Sequence, residues 1–228
     1  MSGTVGVIAD AAARYTMFWQ CLTTLRTPVN TAVDVMVGSD RAVGRNKVVE
    51  RSLERGSEWC FFVDDDHTFR PEILTWLLHH DKPIVGALYL QRTTPFLPIA
   101  MGTRGDAGWW PLDLEDAPEH GLVEVEGIGT GGLLIRSEVF HALRESDPSA
   151  LFFRHTTEQS EDLHFCSRVR DELGWPIFVD MDSRLGHLGP AVVVPNFNED
   201  IGEWVAGLSF GASCYVELPI LKPLVEDE

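Results

Sequence analysis

Apolar residues fall along this chain in two rhythms: short unbroken runs, and longer stretches in which they recur at every third or fourth position. Val5-Gly6-Val7-Ile8 and the segment from Ala32 to Val37 predict strands. Between them Phe18, Cys21, Leu22 and Leu25 predict a helix that Pro28 closes. A second helix is expected from Val43 to Arg55, with Gly56 ending it. The run Trp59-Cys60-Phe61-Phe62-Val63 has the composition of a strand buried on both faces. Pro71 then stands where a first helical residue belongs, followed by the apolar face Ile73, Leu74, Leu77 and Leu78, and Pro83 to Leu90 gives another strand. This alternation is the pattern of βαβ units, so an α/β fold with a mostly parallel central sheet flanked by helices is expected.

From Gln91 to Gly121 the periodicity fails, and a long irregular segment carrying Trp109-Trp110 is expected there. The two indoles suit either stacking on a sugar face or plugging the core. Order returns with a strand from Val123 to Ile128, the turn Gly129-Thr130-Gly131-Gly132, the strand Leu133-Leu134-Ile135 and a helix that Ser137 caps. A helix from Ser160 to Leu173 buries Cys166, Val169 and Leu173, and the strand Ile177-Phe178-Val179 follows it. Beyond Leu188 the signals are mixed, broken by Pro190, Pro195, Pro219 and Pro223.

The 228 residues, 44% of them hydrophobic, suffice for one sizeable core. No apolar run is long enough to span a bilayer and no signal peptide is evident at the start, so a cytoplasmic protein is expected. A formal net charge of −17 disfavours broad binding to nucleic acid or to an anionic membrane surface, which needs clustered Lys and Arg. Cys21, Cys60, Cys166 and Cys214 show no metal-knuckle or CxxC spacing and read as small core residues in a reducing compartment.

The chemistry concentrates where the buried strand ends, at Asp64-Asp65-Asp66-His67. Three adjacent carboxylates repel one another, and a hard divalent cation such as Mg2+ or Mn2+ makes such a cluster favourable. A turn-forming acidic cluster is the plainer alternative. Glu161-Asp162 opens a helix, where the macrodipole favours carboxylates whatever the function. His187 stands between glycines in Gly186-His187-Leu188-Gly189, and Asp180-Met181-Asp182 is a second Asp-x-Asp, read as a turn or as support for His187 and as the rival metal site.

In order, Gly44-Arg45-Asn46, Val63-Asp64-Asp65-Asp66, Gly129-Thr130-Gly131-Gly132, Ser160-Glu161-Asp162 and Gly186-His187-Leu188-Gly189 resemble the motifs of GT-A fold glycosyltransferases, closest in style to family 2. The resemblance implies a single GT-A, Rossmann-like domain over residues 1–189, with residues 190–228 as an extension packing on or near the acceptor site. It also implies a nucleotide-diphosphate sugar donor, a UDP- or GDP-sugar, bridged to the protein by Mn2+ or Mg2+. On that pattern Asp66, Asp64 and His187 are the metal residues, and Asp64 and Asp65 also serve the nucleotide or sugar. Asp162 is the general base, oriented by Glu161, for an inverting transfer to an acceptor hydroxyl. Gly131 and Gly132 let the backbone approach a bound sugar, Arg45 counters the donor's phosphates, and Asp10 contacts the base or ribose. The acceptor is expected to be soluble: a protein, a metabolite or a glycan precursor.

Two other classes use similar residues. A metal-dependent phosphohydrolase or nucleotidyltransferase predicts a glycine-rich phosphate loop or more Lys and Arg beside the acids, and neither is evident. A non-catalytic sugar-nucleotide or glycan-binding module differs from the enzyme only in turnover.

Overall fold

Strand and helix alternate from the first residues, and the order in which the strands pair decides where a site can form. A computed structural model describes residues 1–9, 15–92, 95–103, 108–189, 192–209 and 215–220. The chain runs through β1 (Gly3–Ala9), α1 (Thr16–Thr24), β2 (Thr31–Val37), α2 (Arg41–Glu54), β3 (Trp59–Asp64), β4 (His67–Thr68), α3 (Ile73–His79) and β5 (Ile84–Leu88). Next come β6 (Ala100–Thr103), β7 (Trp109–Pro111), β8 (Leu122–Val125), β9 (Gly127–Ile128), β10 (Gly132–Arg136), α4 (Ser137–Ser146) and α5 (Glu161–Arg168). The last strands are β11 (Ile177–Arg184), β12 (Gly186–Leu188), β13 (Val192–Asn198), β14 (Glu203–Ser209) and β15 (Tyr215–Pro219).

The central seven-stranded sheet has the order β2-β1-β3-β10-β5-β11-β8. Strands β2, β1 and β3 run parallel to one another and β11 runs parallel to β5, while β10 and β8 lie antiparallel to their neighbours. The fold is therefore mixed α/β with a mostly parallel sheet, as the alternation predicts. Its two faces carry separate cores. Val5, Val7, Phe61 and Val63 pack with Phe18 of α1 and Leu74 and Leu77 of α3. Ile8, Cys60 and Phe62 pack with Val48 and Val49 of α2, Phe140 of α4 and Phe165 of α5 on the other. Strand β3, covered from both sides, is buried from Trp59 to Val63.

Several expected boundaries move. The irregular segment from Gln91 to Gly121 contains β6 and β7, which join β9 in a three-stranded sheet. Val123 to Ile128 is not one strand: β8 edges the central sheet and β9 belongs to the smaller one, the chain changing sheets at Glu126. The helix expected to reach Leu173 ends as α-helix at Arg168 and continues as a π turn to Leu173, closed by Gly174 at φ 64°. Strand β11 runs to Arg184, well past Val179. After Leu188 the chain forms a meander, and β15-β14-β13-β12-β4 make a five-stranded sheet that pairs residues on both sides of position 189. Among the described residues no helix is long and apolar enough to cross a membrane.

Candidate active site at the carboxyl end of the third strand

Strand β1 feeds β2 on one side, whereas β2 connects back across it to β3 on the other, and a crevice opens where the directions part, outside the carboxyl ends of β1 and β3. A cleft of about 220 Å³ lies there. Ile8 and Ala9 line it from β1, Asp64 to His67 from the end of β3, Arg45 from α2, and Glu161 and Asp162 from α5. Arg92, Thr130 and His187 complete it. Asp10 lies outside the described residues.

The first cluster is Asp66, His67 and His187, whose potential ligand atoms all lie within 4.8 Å of one another. Strand pairing assembles it, because His67 on β4 and His187 on β12 are direct antiparallel partners. Their rings stack at 4.6 Å with 19° between planes. His187 Nδ1 lies 2.8 Å from the Leu90 carbonyl; as its donor it leaves Nε2 with a lone pair, 3.7 Å from Asp66 Oδ2. His67 is only 1% exposed, and among the described residues neither ring nitrogen has a partner in hydrogen-bond geometry, although Nδ1 sits 3.3 Å from Asp66 Oδ1. Burial and the neighbouring His187 push the His67 pKa down to about 4, so the ring is neutral at physiological pH. Burial alone would raise the Asp66 carboxyl, but His187, His67 and Arg92 together hold it well below the usual carboxylate range. A carboxylate and two imidazoles, one with buried nitrogens that have no partner among the described residues, fit a divalent transition ion such as Mn2+.

Asp64 belongs to a second cluster. The chain leaves β3 at Asp64 and turns at Asp65-Asp66, so the three carboxylates diverge. Arg45 Nη2 donates to both Asp64 oxygens at 3.1 and 3.2 Å, and Arg45 Nη1 donates to Glu161 Oε1. The guanidinium expected to counter phosphates is 2% exposed and already neutralised by two carboxylates. Burial disfavours its charge, but Asp64, Glu161 and Asp162 outweigh that and raise its pKa. Helix α2 explains the rest of Gly44-Arg45-Asn46. A Cβ at Gly44 would stand 3.3 Å from Ile8 Cδ1, and the Asn46 side chain clamps the Phe153 backbone, donating to its carbonyl at 2.7 Å and accepting from its N–H at 3.2 Å.

Asp162 faces the same cleft from the first turn of α5. Ser160 Oγ and the Leu163 N–H both donate to its Oδ1, and Oδ2 has no hydrogen-bond partner among the described residues. Burial raises its pKa, against the opposing pull of Arg45 and Ser160. Glu161 is buried, held by Arg45 and by His155 Nδ1 at 3.1 Å. Asp65 is buried at the floor, its N–H bonded to the Ile8 carbonyl at 3.1 Å.

The glycine turn serves the protein's own side chains. A Cβ at Gly131 would stand 2.5 Å from His67 Cε1 and 2.9 Å from Tyr89 Oη, and one at Gly132 would stand 2.3 Å from Leu185 Cδ1. The close approach that these residues permit is thus to His67, Tyr89 and Leu185. Thr130 Oγ1, buried and without a hydrogen-bond partner among the described residues, lines the cleft.

The second Asp-x-Asp forms no site. Strand β11 continues through it, but its register against β5 shifts between Asp180 and Arg184, and Asp180 is buried whereas Asp182 is exposed. Asp180 is buried against His80 Nε2 at 2.9 Å and Ser183 Oγ at 2.6 Å, while Asp182 accepts from the Gly121 N–H at 2.9 Å and faces His120 outside. Trp109 packs on the core and against Arg170, with 5.5 Å from guanidinium to ring centre. Of the cleft residues, His67 was open to an Asp-x-His reading from Asp65, with Asp64 to Asp66 preferred, and Arg92 was not singled out. His67 carried a signal, its place directly after the acids, whereas Arg92 carried none inside an aperiodic segment.

No protein-family profile matches the chain, and no curated protein matches it at the sequence level. Solved structures do. A197 from STIV superposes with a TM-score of 0.59 at 15% identity, over 90% of this chain and 94% of that one. S. aureus TarS 1–349, from a GT-A-type glycosyltransferase, gives 0.51 at 14% identity over 83% of this chain. The match covers 61% of that TarS segment. Its complex with UDP-GlcNAc gives 0.49 at 15% identity, over 80% of this chain and 57% of that one. The chain shares its mixed α/β fold with A197 and with the TarS segment.

Proposed function

We propose that this protein is a metal-dependent glycosyltransferase that moves a sugar from a nucleotide-diphosphate sugar to the hydroxyl of a soluble acceptor, with inversion at the anomeric carbon. One observation carries the reading: a carboxylate–imidazole cluster and a base candidate, Asp162, face a single cleft at the carboxyl end of β3. Asp66 and His187, with His67 beside them, are the residues that would hold Mn2+ or a similar ion. A bound cation there supplies positive charge against the leaving diphosphate.

The chain's own groups do the remaining work. Ser160 and the Leu163 N–H fix one Asp162 oxygen, leaving the other to accept the acceptor's proton. Burial makes that carboxylate a stronger base than an exposed one. The Arg45 bridge between Glu161 and Asp64 sets the distance from the α5 start to the β3 tip, the positioning on which in-line attack depends. Asp65 and Asp64 border the donor side, and the meander from residue 190 onward is the element proposed to shape the acceptor side.

The test is release of nucleotide and transfer of sugar with Mn2+ present. UDP-GlcNAc, the ligand of the S. aureus TarS complex, is the first donor to try, followed by GDP-sugars. Asp66→Ala is expected to abolish turnover, and Asp162→Asn to cut it by roughly 10²–10⁴ while leaving donor binding intact, as for loss of a general base. Turnover unchanged in both variants would overturn the assignment. Donor binding without turnover in the wild type would make the protein a binding module.

A further inference from the structure

Arg92 occupies a position that neither the motifs nor the proposed chemistry assigns. Its Nη1 donates to Asp66 Oδ2 at 2.8 Å and to the Leu188 carbonyl at 3.2 Å. Asp66 Oδ2 is also the oxygen nearest His187 Nε2, so the guanidinium sits on the oxygen that would complete a metal site with that imidazole. A monovalent, delocalised cation and a divalent ion compete for the same lone pairs.

The backbone around Arg92 is pinned. Leu90 bridges to Pro98, the Gln91 N–H bonds to the Leu97 carbonyl at 2.8 Å, and the Leu90 carbonyl is the group that fixes the His187 tautomer. Leu90 and Phe96 are buried, whereas the Arg92 side chain is 31% exposed and lines the cleft. What can move is the side chain, and the cleft is where it can go.

We propose that Arg92 is an exchangeable counter-ion of Asp66: it neutralises that carboxylate when no donor is bound, and transfers its guanidinium to the donor's diphosphate when the donor enters, freeing Asp66 for the cation. This deepens the glycosyltransferase reading and rests on it. Its consequence is linkage. A diphosphate that draws Arg92 away must strengthen cation binding, and the cation must strengthen diphosphate binding by the same factor. The arrangement makes the protein a poor binder of free metal and a good binder of metal and nucleotide together.

Titration calorimetry with Mn2+, in the absence and presence of saturating UDP, tests this on the full chain. Wild type is expected to bind Mn2+ at least tenfold more tightly with UDP than without. In Arg92→Met, Mn2+ alone should bind roughly tenfold more tightly than to wild type, and the UDP enhancement should shrink correspondingly. Arg92→Gln, which keeps an N–H for the Leu188 carbonyl but lacks the charge, should behave like Arg92→Met; Arg92→Lys should resemble wild type. Equal Mn2+ affinity and equal UDP enhancement in wild type, Arg92→Met and Arg92→Gln would overturn the role of Arg92. If Asp66→Ala still lost Mn2+ in that case, the glycosyltransferase reading would survive. Failure of every form to bind Mn2+ would overturn both.

Discussion

Arg45 is the cation that three carboxylates of the cleft share, and its burial makes it indispensable. Arg45→Met leaves Glu161 and Asp64 without their counter-charge, Glu161 in an almost dry setting, and is expected to cost about 3–5 kcal/mol. Urea unfolding reads the loss, and adding Glu161→Gln should recover part of it, since the two residues are directly coupled. Asp162 behaves oppositely. Its folded-state pKa is raised, so its ionised form destabilises the fold above the unfolded carboxylate range and the penalty vanishes once pH falls below it. Asp162→Asn should therefore unfold at a higher temperature than wild type at pH 7, by about 1 kcal/mol of added stability, and show no advantage near pH 3. A higher melting temperature that persisted into acid would contradict the raised pKa.

At the scale of elements, the turn between β9 and β10 governs the geometry of the Asp66, His67 and His187 cluster. Gly131→Ala forces a methyl into the His67 ring and the Tyr89 hydroxyl, and overpacking of this kind costs about 1–3 kcal/mol. Since His67 stacks on His187, the displacement should also weaken Mn2+ binding at least tenfold, measured by calorimetry against the wild type. The sequence showed that this turn needs glycines but not what fills the space above them, because His67 and Tyr89 arrive from other strands. The strand-helix alternation through β5 and the acids closing β3 were legible, since each depends on local periodicity. Less was legible where pairing partners are distant. Asp180 looked like a strand end because an acid rarely sits mid-strand, yet His80 and Ser183 satisfy it there. β8 and β9 read as one run because apolar periodicity does not say which sheet a residue joins. Arg92 was invisible for the same reason: its partner Asp66 is set by the fold.

At the scale of the molecule, the net charge of −17 adds repulsion that opposes the compact state. Added salt screens exposed charges over about 10 Å at 0.1 M, so the melting temperature should rise between 0.02 and 0.3 M NaCl, by roughly a few degrees. A fall over that range would mean that the Arg45 and Arg92 pairs, rather than the surface charge, dominate the balance. The overall architecture followed from the sequence because buried parallel strands announce themselves, whereas the meander after Leu188 did not, its prolines and glycines obscuring the alternation.

The pairing of β4 with β12 also orders events in time. Asp66 and His67 are synthesised first, and the imidazole that faces them belongs to a strand made only after β5, β10 and β11. Until residues 186–188 have emerged from the ribosome and docked, a nascent chain carries its acids without their opposite wall.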